Sequence, residues 1–322
     1  MPDLANRTDQ AGKEELIRVD AQTGSFRVFQ NEPDQLNKIL ARRQIQRETN
    51  IALLVQILFV ILVPSASAVF SFQYIEFKPL AALIGIAVAV IDICVIDRII
   101  KKRTAESARL QEEFDCALFR LPWNSVISGA KIDIRRVTKK AKAAQLRGST
   151  GSARNWYPAS LEQLPFSLGR LAAQRLNMSY DYRLRSQYKT VLAFIAAIPV
   201  VIVCFSVFQE QSTLQTVVLG ALVPITPVFN WCVREGFRQH DALVRLRYTK
   251  AIAEDYWESL TSDRAEKADD DQDRSRRLQD ASFIRRSTSP IVFGLLYWIQ
   301  RSSLERRMLS EADVMVLEGA IG

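Results

Sequence analysis

The sequence predicts an all-α membrane protein: four transmembrane helices in two hairpins, with cytoplasmic helical extensions. The first observation is four apolar windows, at about 51–70, 79–98, 190–208 and 214–233. Each is close to the ~20 residues that cross a hydrocarbon core of roughly 30 Å at ~1.5 Å per residue. Buried helices of soluble proteins rarely stay apolar all round for that length, so two buried helical hairpins are the weaker alternative. The second is the placement of Lys and Arg: 8 in 1–50, 18 in 98–188 and 15 in 234–322, against Lys78 alone in the linkers 71–78 and 209–213. Cytoplasmic loops carry the positive excess, so both termini and the centre are assigned to the cytoplasm. The third is helical spacing outside the windows, as at Leu36, Ile39, Leu40 and Arg43.

The chain divides into an N-terminal polar segment (1–33), a first hairpin (34–98), a cytoplasmic helical sensor module (99–188), a second hairpin (189–233) and C-terminal cytoplasmic helices (234–322). Residues 1–50 are polar throughout, so no signal peptide is expected before the first span. The net charge of +8 is first a topology signal. It also suits anionic lipid or an anionic ligand and does not choose between them. Cys94, Cys116, Cys204 and Cys232 are scattered and His240 is the only histidine, so neither a disulfide framework nor a zinc site is expected.

Taken in order, Leu16-Ile17-Arg18-Val19 and Phe26-Arg27-Val28-Phe29 have the composition of a short hairpin, with disorder as the alternative. One helix is expected over about 34–70, bent at Pro64. In the second span, Ala81, Gly85 and Ala89 recur every four residues, the small-residue spacing that lets helix backbones approach in lipid. Asp92 shares that face. A carboxylate there is costly unless paired or hydrated, so it marks a conduction path, an oligomer contact or a bond near the interface.

A cytoplasmic continuation is expected over 99–119, ended by Pro122. A basic helix at 133–146 and a Gly/Ser loop at 147–154 follow; the loop lacks the Gly-Lys-Ser/Thr of a P-loop. Ser160-Leu161-Glu162-Gln163 has capping-box spacing, which predicts a helix start. The fourth span holds Gly220, Pro224 and Pro227 and ends in Phe229-Asn230-Trp231, where Asn230 is a helix-contact or pore candidate and Trp231 fits an interfacial belt. Its helix should continue to about Leu260, with Phe237, Val244, Tyr248, Ala251, Ile252 and Trp257 on the packed side. An acidic linker over 263–273, a basic helix over 274–286, a short apolar stretch over 290–299 and a last helix over 304–317 complete the chain.

No GxSxG, HExxH or Cys/His arrangement is present, so no enzyme is expected and no catalytic residue or metal ligand is assigned. Several short strings instead resemble the SMODS-associating four-transmembrane (S-4TM) effector family. They are Phe114-Asp115-Cys116, Leu121-Pro122-Trp123-Asn124, Asn155-Trp156-Tyr157-Pro158, Gln174-Arg175-Leu176-Asn177 and the run from Tyr180-Asp181 to Tyr188. Arg234-Glu235, Leu278-Gln279-Asp280 with Phe283 and Arg285-Arg286, and 290–298 extend it, so that it covers roughly 35–315. The first 30 residues fall outside it, and the Gly/Ser loop is longer than the family pattern.

The resemblance implies a pore-forming effector of bacterial antiphage defence in the inner (cytoplasmic) membrane, multi-pass and homo-oligomeric. Its implied partners are the lipid bilayer and a cyclic oligonucleotide from a partner cyclase, with no nucleic-acid polymer and no cofactor. A cyclic nucleotide needs cations for its phosphates and flat groups for its bases. The candidates are Trp123, Asn124, Arg136, Arg154, Trp156, Tyr157, Arg170, Arg175 and Tyr180. The competing reading makes Trp123 and Trp156 core anchors and pairs the arginines with Asp115, Asp181 and Glu162. Rival functions are a non-conducting membrane-anchored scaffold and a constitutive channel.

Overall fold

A computed structural model of the chain describes residues 26–207, 213–262 and 268–321. Among these residues the regular structure is entirely helical. The chain enters through α1 (Phe26–Gln30) and turns at Asn31 into α2 (Pro33–Ile57). A π-helical turn, Leu58–Leu62, passes it to α3 (Val63–Gln73), so the long first helix is continuous. A 3-10 turn leads into α4 (Lys78–Ile91), a second π-helical turn (Asp92–Ile96) and α5 (Asp97–Leu118). The stretches Pro33–Ser71 and Lys78–Leu118 are each long and apolar enough to cross a membrane.

Two shorter helices follow: α6 (Ser125–Ser128), capped by Asn124, and α7 (Ile134–Gln145), capped by Asp133, whose carboxylate accepts from the Arg135 amide at 2.6 Å. Then α8 (Phe166–Val207) carries the third apolar window. The fourth lies on α9 (Leu214–Val217), a π-helical turn (Val218–Leu222) and the start of α10 (Val223–Ser262). Finally come α11 (Ala268–Thr288) and α12 (Gly294–Ile321).

Prolines explain two of the three π turns. A helical proline has no amide hydrogen, and its ring crowds the carbonyl four residues back. Widening the helix relieves that clash, and the turns 58–62 and 218–222 stand just before Pro64 and Pro224. The third turn starts at Asp92 and has no proline after it.

The helices pair as α3 with α4, α4 with α10 and α8 with α10; on the polar side α2 packs on α5 and α7, and α11 on α5. Gly85 of α4 meets α10 so closely that a Cβ there would lie 2.8 Å from Pro224 Cα and 2.9 Å from the Val223 carbonyl. The small-residue face therefore serves a contact within the chain, with Ala81 buried and Ala89 half-buried beside it. Two apolar clusters result. One gathers α2, α5, α7, the 153–164 segment and the first half of α8 around Phe114, Tyr157 and Leu171. The other sits at the foot of the apolar windows around Tyr188, Val228 and Trp231.

Several expectations are corrected. Residues 26–30 form a helix rather than a strand, and the remainder of that hairpin lies outside the described residues. The capping box makes only a 3-10 turn (Ala159–Gln163), because Pro165 forces Leu164 into an extended conformation, and α8 begins at Phe166. Residues 268–273 belong to α11 rather than to a linker. Residues 294–299 and the expected helix over 304–317 belong to one helix, α12, while 290–293 precedes it. Trp231 is buried rather than interfacial, and Phe237, Val244 and Tyr248 are exposed rather than packed.

Candidate functional site

The residue strings that carry the family resemblance converge on a buried polar network between α5 and α11. Gln111, Glu112, Asp115 and Cys116 lie on one face of α5, since residues three and four apart share a face. Asp115 is fully buried. It accepts from Gln111 Nε2 at 2.7 Å, Tyr157 OH at 2.9 Å, Gln279 Nε2 at 3.2 Å and Arg286 Nη1 at 2.6 Å. Glu112, equally buried, accepts from Arg276 Nη2 at 2.5 Å and Gln279 Nε2 at 2.7 Å. Arg276 also donates to the Pro122 carbonyl at 2.9 Å and to Asp280 at 2.8 Å. From α8, Asn177 donates to the Tyr157 oxygen and Gln174 to the Ser275 carbonyl.

Burial sets the titration of these groups. It raises the Glu112 carboxyl above its ordinary range and, with Glu112 beside it, pushes the Cys116 thiol up to about 12. Burial and the Asp115 charge together raise the Tyr157 phenol. Burial works against the Arg286 charge, yet Asp115 more than offsets it and holds the guanidinium above its ordinary range. Burial thus disfavours the reactive thiolate form of Cys116.

A second network lies where α8 approaches its apolar window. Asp181 binds Arg285 and accepts from Arg185 Nε at 3.0 Å. Arg185 Nη1 donates to Gln239 at 2.8 Å and to the Pro290 carbonyl at 2.9 Å, and Gln239 donates to Glu235 at 3.1 Å. Burial alone would raise Asp181, but Arg185 and Arg285 keep it below its ordinary value. A third set joins α10 to the end of the second apolar window. Asp92 accepts from Gln56 at 2.5 Å and Arg234 at 2.6 Å, and Asp97 takes Arg238 at 2.7 and 3.0 Å. A cavity of about 30 Å³ opens beside this set, lined among others by Gln56, Asp97, Arg234, Glu235, Arg238 and Pro290.

The candidates from sequence fall into three groups. Tyr157, Asn124 and Arg170 have internal partners: Tyr157 as above, Asn124 at Asp280 (3.0 Å), Arg170 at the Phe119 carbonyl (3.3 Å). Arg136 chelates Glu106, and Trp123 donates to the Gly129 carbonyl at 3.0 Å. Arg175 stacks on Trp257 at 5.0 Å, with its Nε and one Nη buried without a hydrogen-bond partner. Arg154 is exposed. Trp156 and Tyr180 are half-buried, with Arg42 over the Trp156 ring at 4.9 Å and Arg43 at 5.8 Å. Asp92 is buried and paired with Arg234, while Asn230 is exposed.

Sequence reasoning missed Glu112, Arg276 and Arg286 as network members, and Arg42 as a partner of Trp156. Their partners lie more than 100 residues away in sequence, so no local spacing signals them.

No solved structure matches the chain. A protein of Bacillus cereus (strain VD146), described as a probable CBASS effector molecule, is 25% identical over 210 residues, covering 63% of this chain and 67% of that protein. The family described as the SMODS-associating 4TM effector domain matches residues 26–315, taking in α1 as well as the networks above. With nearly its whole length matched, the chain belongs to the SMODS-associating 4TM effector family.

Proposed function

We propose that this chain is a membrane effector of bacterial antiphage defence. In this reading it crosses the inner membrane four times, with both termini in the cytoplasm. A cyclic nucleotide from a partner cyclase binds the module built from 99–188 and 234–322. Binding shifts a pre-existing equilibrium towards an assembly of several copies that permeabilises the membrane and stops growth. The protein performs no chemical step on the nucleotide and needs no cofactor.

One observation carries the reading. The helices α8 and α10 run unbroken from the buried networks into the apolar windows. Asp181, Arg185, Glu235 and Gln239 are bonded where these helices leave the module. A ligand that reorders the module therefore acts directly on the entry of both spans. The similarity to a probable CBASS effector supports the same reading.

The test is dye leakage from liposomes holding the purified protein, with and without a panel of cyclic di- and trinucleotides. Release triggered by one nucleotide is the expected result. Release with none added would favour a constitutive channel. Silence from folded, inserted protein would favour a non-conducting scaffold.

A further inference from the structure

The helix α12 packs on α8 just before α8 enters its apolar window. A cavity of about 210 Å³ remains between them, lined among others by Arg183, Ser186 and Gln187 of α8 and by Gln300, Ser303 and Arg307 of α12. Residues three and four apart share a helix face, so each helix gives one face to this groove.

The groove is polar and offers donors. No carboxylate lines it among the described residues. Arg183 is bonded to Glu311. Ser186, Gln187, Ser303 and Arg307 are exposed, and none of these four side chains has a hydrogen-bond or ion-pair partner among the described residues. Gln300 is half-buried, and its side-chain oxygen is shut off from solvent without a partner. A buried acceptor left without a donor is costly, so a donor held in the groove is favoured there. Tyr182 also lines the groove, and its hydroxyl accepts from Arg247 Nε at 3.1 Å, which brings another guanidinium to the same wall. Guanidiniums, hydroxyls and amides are the donors that hold phosphate oxygens.

The face of α8 that lines the groove continues into the membrane window. Val191, Phe194, Ile198 and Val201 follow Gln187 at steps of four and three residues, and all are exposed, Phe194 at 74%. On the other wall, Trp298 stands two residues before Gln300 and is 73% exposed; tryptophan is enriched at the level of lipid headgroups. A polar, cationic groove therefore opens onto an apolar stripe. A nucleotide has nothing to lay along such a stripe, and the groove is smaller than the roughly 300–1,000 Å³ of sites that enclose a whole small molecule. A phospholipid presents a headgroup to the one and a chain to the other.

We infer that this groove binds the headgroup of an anionic phospholipid of the phosphatidylglycerol kind, with an acyl chain along Val191, Phe194 and Ile198. Arg307 and the Ser186 and Ser303 hydroxyls take phosphate oxygens, and a headgroup hydroxyl donates to Gln300 Oε1. This rests on the reading that α8 crosses the membrane and is independent of the nucleotide trigger. The bound lipid bridges α8 and α12 and so ties the last helix to the foot of the third span.

The experiment titrates acyl-chain-labelled phosphatidylglycerol into full-length protein in detergent, for wild type, Arg307→Gln and Ser186→Leu. Arg306→Gln is the control, because Arg306 is exposed and donates to the Ser302 carbonyl of its own helix. The expected loss is about tenfold for Arg307→Gln, the worth of one charge-assisted hydrogen bond, with a loss also for Ser186→Leu, which fills the groove, and none for Arg306→Gln. Arg307 and Ser186 are exposed and without partners, so thermal midpoints without lipid should match wild type. A fall of several degrees in both variants would make their effect structural and overturn the assignment.

Unlabelled phosphatidylcholine should compete about tenfold more weakly, because its choline cation meets the arginines. Equal competition would overturn recognition of the headgroup. Glycerophosphoglycerol, the same headgroup without chains, should also compete weakly, and equal competition would reassign the groove to free phosphate esters. Displacement by a cyclic di- or trinucleotide at lower concentration than by the lipid would reassign it to nucleotide. Lipid binding unchanged in both groove variants would overturn the site. Failure of the span is read separately, with Phe194→Cys in a chain whose four native cysteines are replaced by alanine, held in phosphatidylglycerol–phosphatidylcholine nanodiscs with a water-soluble maleimide. Protection of Cys-labelled position 194 would leave the span standing whatever the groove variants show; rapid labelling would overturn the span and the lipid site together.

Discussion

At the scale of single residues, the decisive feature is charge without water. Asp115 and Glu112 are fully buried, and each carboxylate oxygen is met by a donor from another element. Breaking a buried ion pair from one side costs about 3–5 kcal/mol, because the other charge is left behind. Arg286→Gln should therefore lower stability by about that amount, and the double variant Asp115→Asn/Arg286→Gln should recover part of it; a double-mutant cycle read by thermal unfolding checks both. Glu235 makes a pH prediction. Burial raises its carboxyl from the ordinary 4.5 to about 6. The folded protein then binds this proton more tightly than the unfolded chain, so the contribution is fully present below pH 4.5 and is lost as pH rises through 6. Glu235→Gln mimics the protonated form. Relative to this variant, wild type should lose on the order of 2 kcal/mol between pH 4.5 and 7.5, and parallel melting curves at the two pH values would contradict it.

At the scale of elements, what matters is how closely helices approach and where they are bonded. Gly85 touches the α10 backbone at Pro224, so Gly85→Ala should cost about 1–3 kcal/mol through overpacking. Limited proteolysis of α4 and α10 in detergent would register the loosening. Asp92 and Arg234 bond the second apolar window to α10 across 142 residues of chain. Asp92→Arg and Arg234→Asp should each disturb liposome leakage, and the double exchange should restore it in part; no restoration would assign the two residues separate roles. Helix existence was legible in sequence because periodicity and proline are local signals. The failures came from the same locality. The capping box at 160–163 ignored Pro165 two residues on, and the packed side given to Phe237, Val244 and Tyr248 assumed a neighbour that α10 lacks on that face. The ligand candidates were chosen by residue type, which cannot tell an arginine with a buried carboxylate from one without. Arg42 therefore went unnoticed, while Arg136, already bound to Glu106, was selected.

At the scale of the molecule, bonds between distant parts of the chain tie α11 to α5 (Arg286 with Asp115), α11 to α8 (Arg285 with Asp181), α8 to α10 (Arg185 with Gln239) and α10 to the end of the second apolar window (Arg234 with Asp92). The module and the apolar hairpins are therefore bonded to each other as well as joined by the chain. The long helices α8 and α10 run from these networks into the third and fourth apolar windows. Ionic current across a planar bilayer holding the purified protein is the measurement that decides whether a nucleotide acts through them, with each cyclic nucleotide added to one face at a time. Step currents should appear with one nucleotide, and only from the face that carries the termini. Currents of equal size without any nucleotide, or none with every nucleotide from protein shown to be folded and inserted, would contradict a nucleotide-gated effector.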